Sequence, residues 1–244
     1  MKKTGRLLCC LVLLAGIMQT AKSQHKKTNG ISYWLTSPDK STALQQQPGA
    51  LPFTKKDNGS PVITVDETKR FQSIDGFGFT LTGGSATLIN QLPAEQQQSL
   101  LKELFLPEGA GIGISYLRLS IGASDLSASV FTYDDMPDGQ TDPEMKHFSI
   151  DKEKEDLIPV LRKIVALNPA IKILGSPWSA PTWMKTNHSF IGGSLKPEYY
   201  DAYAQYFVKY ISAMKEAGIT IDAITIQNEP LHPGNNPSML MLAP

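Results

Sequence analysis

A glutamate at the end of an apolar run is the residue best placed for acid–base chemistry in this sequence. Residues 223–227 alternate branched and small side chains and are followed by Asn228, Glu229 and Pro230. The run predicts a buried strand, and the proline biases the residue before it toward an extended backbone, so the strand should stop at Glu229. Barrel enzymes keep their catalytic groups at the carboxyl ends of strands. Glu229 is therefore a candidate catalytic acid, and an ordinary strand-terminating glutamate is the alternative.

Two earlier strand-like runs also end in polar or aromatic residues. Residues 115–120 lead to Asp125, and residues 171–176 lead to Trp178. If these strands are parallel, their carboxyl ends meet on one face and bring both side chains near Glu229. Indole stacks on the apolar face of a sugar ring, and fixed carboxylates bond its hydroxyls, so the set predicts a carbohydrate site. Glycoside hydrolysis needs a second carboxyl group, and Glu229 as its acid would need a raised pKa.

Other residues near these strand ends keep two interpretations each. Asn228 could bond a sugar 2-hydroxyl, a contact that strengthens in the transition state. Arg118 lies inside an apolar strand, where its guanidinium needs a partner, either an active-site carboxylate or a structural ion pair. For Trp178 and Trp183, in a proline-rich loop, packing is the favoured explanation, and Asp125 can equally cap a turn.

Several classes of function are disfavoured by what the sequence lacks. His188 and His232 have no metal-ligand spacing, so we predict no metal site. No nucleophile elbow of the G-x-S-x-G type is present, which disfavours a serine hydrolase. Formal net charge is zero and no stretch concentrates basic residues, so no nucleic-acid partner is expected.

The N-terminus predicts an export signal over residues 1–23. Basic residues precede an apolar stretch at 7–18 that is too short to span a bilayer comfortably, and 21–23 offer a small-x-small cleavage site. A short membrane anchor is the alternative. Cys9 and Cys10 lie inside this segment, so we expect the mature chain to have no disulfide, no thiolate nucleophile and no membrane segment. Periplasm, cell surface and medium are all open destinations.

The rest of the chain predicts a leader followed by alternating strands and helices. Residues 24–70 are polar and broken by prolines, with a strand-sized piece at 32–35, and residues 62–65 and 70–74 predict a hairpin. The later elements are, in order, a strand at 77–79, a small-residue loop at 83–85, a helix opened by Pro93, a strand at 115–120, a helix after Asp151, a strand at 171–176, a helix from Pro197 to Gly218, and the strand at 223–227.

This alternation predicts a parallel α/β architecture. An open doubly wound sheet is the weaker possibility, because no glycine-rich dinucleotide fingerprint or phosphate loop is present. The other is a (β/α)8 TIM barrel, which needs eight strands and about 250 residues. Four units cannot close such a barrel, so residues 71–244 are expected to form its N-terminal half, truncated after about four βα units.

Four blocks of sequence, in order, resemble glycoside hydrolase family 30. They are residues 71–78, 116–127, 176–187 and 227–230, and the likeness covers most of residues 60–236. The resemblance implies an eight-stranded barrel with a small side β-sandwich, to which the strands of 24–70 contribute. It also implies retaining hydrolysis of β-linked sugars by two glutamates in a double displacement, with no cofactor.

The resemblance also implies residue roles. Glu229 corresponds to the acid/base, while Asn228, Asp125 and Trp178 line the subsite of the sugar being cleaved, and Arg118 supports the nucleophile's side of the pocket. The nucleophilic glutamate belongs on a seventh strand, which this chain does not contain, so none is assigned.

The substrate ranking is drawn from one departure in the first loop. Glucosylceramide-cleaving relatives can carry an acidic residue where this chain has Thr82, Gly83 and Gly84. With the bacterial-looking signal, this favours a glucan, β-1,6-glucan foremost, then glucosylceramide, then xylan. Two alternatives stay open: a carbohydrate-binding protein without turnover, and an inactive fragment whose fourth strand is an exposed parallel edge.

Overall fold

The computed structural model describes residues 30–55, 59–109 and 111–243. The chain divides into two compact units, Met1–Arg70 and Phe71–Pro244. The predicted export signal at 1–23, with both cysteines, lies outside the described residues. Within the described part, no helix is long and apolar enough to cross a membrane.

The described residues of the first unit contain two short antiparallel strand pairs. Strand β1 (Gly30–Ile31) pairs with β4 (Leu51–Pro52), and β2 (Trp34–Leu35) pairs with β3 (Gln45–Gln46). The strand-sized piece predicted at 32–35 is therefore confirmed in part, as β2.

The hairpin predicted at 62–65 and 70–74 is wrong. Neither segment is a strand, although the polar turn between them forms, with Lys69 N donating to Asp66 O at 3.2 Å. Apolar side chains in both segments are open to solvent, and Ile63 is 90% and Phe71 87% exposed. A two-stranded hairpin is marginal unless one face is covered. The apolar residues alternate as they do in a strand, but their side chains are not buried against a partner.

The second unit is built on a four-stranded parallel sheet with strand order β5-β6-β7-β8. The strands are Gly78–Leu81, Tyr116–Ile121, Lys172–Pro177 and Ala223–Ile224. Helices α1 (Gly83–Gln91) and α2 (Ala94–Phe105) connect β5 to β6, α3 (Leu157–Leu167) connects β6 to β7, and α4 (Tyr200–Glu216) connects β7 to β8. Short 3₁₀ turns lie at Asp151–Glu153, Thr182–Met184 and Pro197–Tyr199. The parallel α/β prediction is confirmed.

The pleat of β6 assigns its side chains to two faces of the sheet. Leu117, Leu119 and Ile121 are fully buried in the core that the helices cover. Arg118, between them, is on the opposite face, because successive side chains of a strand point to opposite sides. It lines a depression of about 310 Å³ there. This face carries the candidate site.

The small-residue loop predicted at 83–85 is wrong, because these residues begin α1. Thr82 is the N-cap and has an extended backbone. Its Oγ1 accepts from Ser85 N at 3.2 Å and so satisfies one of the free N–H groups of the first helical turn. Gly84 is then required by close approach, since a Cβ there would lie 2.3 Å from the carbonyl oxygen of Leu126. The contact fixes α1 against the loop that carries Asp125.

The last strand is shorter and more exposed than its sequence predicts. Strand β8 covers Ala223–Ile224, and Ile226 is 62% exposed, so the prediction of a buried strand over 223–227 is wrong in extent and burial. Among the described residues β8 has a strand partner on one side only, which explains the exposure. Parallel bonding continues past it, with Thr225 N donating to Gly175 O at 2.9 Å. The barrel's closure and the side sandwich stay predictions.

Candidate functional site

The carboxyl ends of the last three strands meet, as their sequence predicts. Asn228 N donates to Pro177 O at 2.7 Å and so joins the end of the fourth strand segment to the end of β7. The buried amide of Gln227 donates to the carbonyl of Trp178 at 2.7 Å and to that of Asn228 at 2.9 Å. These bonds fix the backbone on which Asn228 and Glu229 are carried.

Arg118 is the centre of the polar network on this face. Its Nη2 donates to Asn228 Oδ1 at 2.8 Å and to Ser176 Oγ at 2.9 Å. Its guanidinium carbon lies 4.7 Å from the ring centroid of Trp178, within the range of a cation–π contact. The expected carboxylate partner is replaced by an amide, a hydroxyl and an indole face. The prediction that the guanidinium needs a partner is confirmed. The prediction that the partner is a carboxylate in direct contact is wrong.

The pKa of Arg118 depends on its burial and on the charges of two carboxylates. Partial burial lowers its pKa, while the charges of Glu229 and then Asp125 raise it. The guanidinium stays protonated at any working pH, because arginine is not deprotonated in proteins. Glu229 and Asp125 therefore lie within electrostatic reach of one fixed cation, which fits a site that binds and orients carboxyl groups.

Glu229 differs from its prediction in backbone and burial. Its φ is +44°, in the left-handed region, where the following proline predicts an extended backbone. A non-glycine residue held there costs about 1–3 kcal/mol and is typical of functional sites. The side chain is exposed to solvent. Its carboxylate Oε2 accepts a hydrogen bond from Asn235 Nδ2 at 2.5 Å.

The two tryptophans of the proline-rich loop differ in role. Trp183 is a packing residue, as favoured, because its Nε1 donates to Asp134 O at 3.0 Å and its ring meets Tyr199 edge to face. Trp178 is also buried, but its Nε1 has no hydrogen-bond partner among the described residues. The indole N–H of Trp178 is therefore a buried donor that no described residue satisfies.

Asp125 is exposed at the turn that follows β6, and it is not the cap of that turn. Ser127 Oγ accepts from Ser124 N at 3.0 Å, and Ser124 Oγ accepts from Leu126 N at 3.2 Å. Because the serines satisfy the turn, the Asp125 carboxylate is left to face solvent. The capping interpretation is wrong, and a role toward a ligand stays a prediction.

The sequence interpretation gave no role to Thr225, Lys185 or Asn235, which help to hold this site. Thr225 Oγ1 donates to Ser176 Oγ at 2.6 Å, which extends the Arg118 network across to the last strand. Lys185 is fully buried and donates to Ser179 Oγ at 2.9 Å and to Ser238 O at 2.7 Å. Burial lowers the pKa of Lys185 to about 7. The sequence signal for a buried Lys185 was its position directly after an apolar stretch that begins with a proline. Nothing in the sequence signalled the role of Asn235.

The histidines considered above do not gather metal ligands. His188 Nε2 lies 3.1 Å from Lys196 Nζ. Across residues 30–55, 59–109 and 111–243, no group of three or more His, Cys, Asp or Glu side chains is placed to hold a metal ion.

Comparison with known proteins gives concordant results. A sequence model described as the glycosyl hydrolase family 30 TIM-barrel domain matches residues 74–240. An endo-1,6-β-D-glucanase of Neurospora crassa is 40% identical over 186 residues, which are 73% of this chain and 38% of that protein. The lysosomal acid glucosylceramidase of Mus musculus is 34% identical over 176 residues, which are 69% of this chain and 33% of that protein.

A solved structure agrees with these sequence relatives. The structure of an endo-β1,6-glucanase has a TM-score of 0.73 and 36% identity, and the match covers 88% of this chain and 46% of that one. The chain thus spans less than half the length of the relatives it matches. The family match covers well over half of the residues here and contains every candidate site residue. The chain belongs to glycosyl hydrolase family 30, as its four sequence blocks predict.

Proposed function

We propose that this chain forms part of a retaining glycoside hydrolase that cleaves β-glucosidic bonds by double displacement. Glu229 is the acid/base: it protonates the leaving oxygen and then takes a proton from the attacking water. The nucleophile is a second carboxylate, expected from a later strand. The observation that carries the proposal is the bond from Arg118 to Asn228, because it fixes the residue next to Glu229 where three strands end.

Asn228 is proposed to bind the sugar 2-hydroxyl through its amide nitrogen. Its Oδ1 accepts from Arg118, which sets the orientation of the amide. Nδ2 then carries two N–H donors, and no described residue accepts from them. The exposed Asp125 carboxylate is an acceptor. Donors and an acceptor around an apolar ring are suited to a sugar.

The substrate is proposed to be a β-1,6-glucan, with a glucosylceramide-type β-glucoside second. Two relatives at 36% and 40% identity are named endo-β-1,6-glucanases, whereas the glucosylceramidase of the mouse is 34% identical. A panel of β-1,6-glucan, β-1,3-glucan, glucosylceramide and xylan, given to the protein expressed from its complete gene, tests the ranking. Release of sugar from β-1,6-glucan is expected to exceed release from the other three.

The acid/base role is tested by Glu229→Gln. Loss of the proton should slow cleavage of poor leaving groups by about 10²-fold or more and leave activated aryl β-glucosides much less affected. Glu95→Gln, a change of the same kind on helix α2, is the matched control. Equal loss for all leaving groups would contradict the role. Binding of oligosaccharide by an unaltered protein that releases no product would favour the carbohydrate-binding alternative.

We also propose export, because residues 1–23 have the charge, length and cleavage pattern of a signal peptide. Mass spectrometry of the mature N-terminus tests this. The expected first residue is Gln24, and a retained Met1 would contradict the proposal.

A further inference from the structure

A second residue faces the carboxylate of Glu229, six positions further along the chain. Asn235 Nδ2 donates to Glu229 Oε2 at 2.5 Å, while Glu229 O accepts from His232 N at 2.9 Å and so closes the turn between them. A hydrogen bond to an ionised group is about twice as strong as one between neutral groups. The contact joins Glu229 to a side chain outside the strand that carries it.

The segment that carries Asn235 is anchored in the core. Ser238 is buried, its backbone N–H donates to Phe190 O at 2.8 Å, and its Oγ accepts from Gly192 N at 2.9 Å. Its Oγ also donates back to Pro233 O at 2.9 Å, and its carbonyl accepts from the buried Nζ of Lys185 at 2.7 Å. Because its base is fixed, the loop can hold Asn235 at a defined position over the strand end.

We propose that Asn235 is a positioning residue that selects which oxygen of Glu229 carries the catalytic proton. This rests on the acid/base role proposed above. An amide N–H only donates, so it is satisfied by Oε2 as a carbonyl-type or an ionised oxygen, and the proton is therefore held on Oε1. In the first step that proton passes from Oε1 to the glycosidic oxygen as the anomeric C–O bond breaks. The resulting carboxylate keeps the Asn235 bond and later takes a proton from water.

The direction of the pH effect follows from this bond. A hydrogen bond donated by Asn235 favours the ionised form of Glu229 over its protonated form, relative to the same site without the amide. Arg118 is the cation whose charge interacts with Glu229, and Asp125 is the other carboxylate within its electrostatic reach. In the proposed first step Glu229 must be protonated, so activity is lost as rising pH ionises it. Removing Asn235 should therefore move the basic limb of the kcat/KM profile to higher pH.

The test compares Asn235→Ala and the isosteric Asn235→Asp with a matched control, in the protein expressed from its complete gene. The control is Asn90→Ala. Asn90 lies on helix α1, away from the strand ends, and its Nδ2 also donates to a carboxylate, Asp156 Oδ1, at 2.9 Å. For Asn235→Ala we expect the basic limb to rise by about one pH unit. We expect kcat/KM to fall about tenfold for poor leaving groups and to stay near wild type for activated ones. Asn235→Asp should raise the limb further, because a like charge disfavours ionisation of Glu229.

The outcomes separate this proposal from the one it rests on. If Glu229→Gln shows the selective loss on poor leaving groups but both Asn235 variants keep the wild-type pH profile, the positioning role is overturned. An equal loss for all leaving groups with an unmoved profile is a structural effect and also overturns it. If Glu229→Gln shows no selective loss, the acid/base role itself fails, whatever the Asn235 variants do. The positioning role is supported if the basic limb of the kcat/KM profile shifts in both Asn235 variants and does not shift in Asn90→Ala.

Discussion

At the scale of single residues, Arg118 makes the contacts that hold the site together. One guanidinium nitrogen bridges Ser176 on β7 and Asn228 beyond β8, and the guanidinium plane rests near the ring of Trp178. Lysine has a single flexible ammonium and cannot reproduce that planar, multiply bonded geometry. The arrangement therefore explains why the position after Leu117 needs arginine rather than any cation.

We expect Arg118→Lys to lower kcat/KM about 10²-fold in the protein expressed from its complete gene, because Asn228 and Glu229 lose their fixed position. Ser176→Ala keeps the bond to Asn228 and should lose much less. Steady-state kinetics on an aryl β-glucoside measures both. Equal losses in the two variants would show that the Asn228 bond is not the one that matters.

Lys185 gives a prediction on stability and pH. Its pKa is lowered to about 7 in the folded chain, from an ordinary value of 10.5, because it is buried. Between these values the unfolded chain holds the extra proton, so the stability of the folded chain rises with pH across that window. We expect the Tm of wild type to gain on that of Lys185→Met from pH 7 to pH 10. A difference independent of pH, in thermal melts of both proteins, would contradict the lowered pKa.

At the scale of elements, the sequence predicts what local rules decide and misses what neighbours decide. The strands at 115–120 and 171–176 are found within about a residue as Tyr116–Ile121 and Lys172–Pro177, because branched apolar residues recur along each run and are buried under the helices. The start of α2 after Pro93 is found from proline alone. The helix beginning at Gly83 is missed, since two glycines hide a capping threonine. The left-handed Glu229 is missed because it depends on the loop that follows.

The glycines at the start of α1 provide a matched pair of substitutions. A Cβ at Gly84 would lie 2.3 Å from Leu126 O, whereas one at Gly83 would meet Ser127 Oγ at 3.5 Å, an ordinary contact. Gly84→Ala must displace the loop that carries Asp125 and should cost about 1–3 kcal/mol of stability. Gly83→Ala should be neutral or slightly stabilising, since alanine favours helix. Chemical denaturation of both variants checks this, and similar effects would argue against the close approach.

At the scale of the whole molecule, the second unit leaves an apolar side of the sheet open. A cavity of about 570 Å³ beside β8 and α4 is lined by Tyr203, Phe207, Ile224 and Leu240 among others. In an eight-stranded barrel the next strand–helix unit would cover such a surface. An uncovered parallel edge is a known route to aggregation.

We therefore expect the 244-residue chain by itself to associate as its concentration rises. Ile226, 62% exposed beyond β8, is the position at which a charge should interfere without touching the core. Sedimentation velocity should show less association for Ile226→Lys than for wild type. Leu88→Lys, 69% exposed on α1, is the control and should behave like wild type. A monomeric wild-type chain at high concentration would contradict an open edge.

Chemical rescue with azide tests whether Glu229 is the acid/base of a retaining glycosidase. The Glu229→Ala variant, expressed from the complete gene, is given an activated aryl β-glucoside with and without azide, and the product's anomeric configuration is read by NMR. A retaining enzyme that has lost its acid/base still forms the glycosyl-enzyme on an activated substrate, and azide then attacks it without needing a base. We predict azide-dependent turnover and a β-glucosyl azide. An α-glucosyl azide, or no rescue by azide, would contradict it.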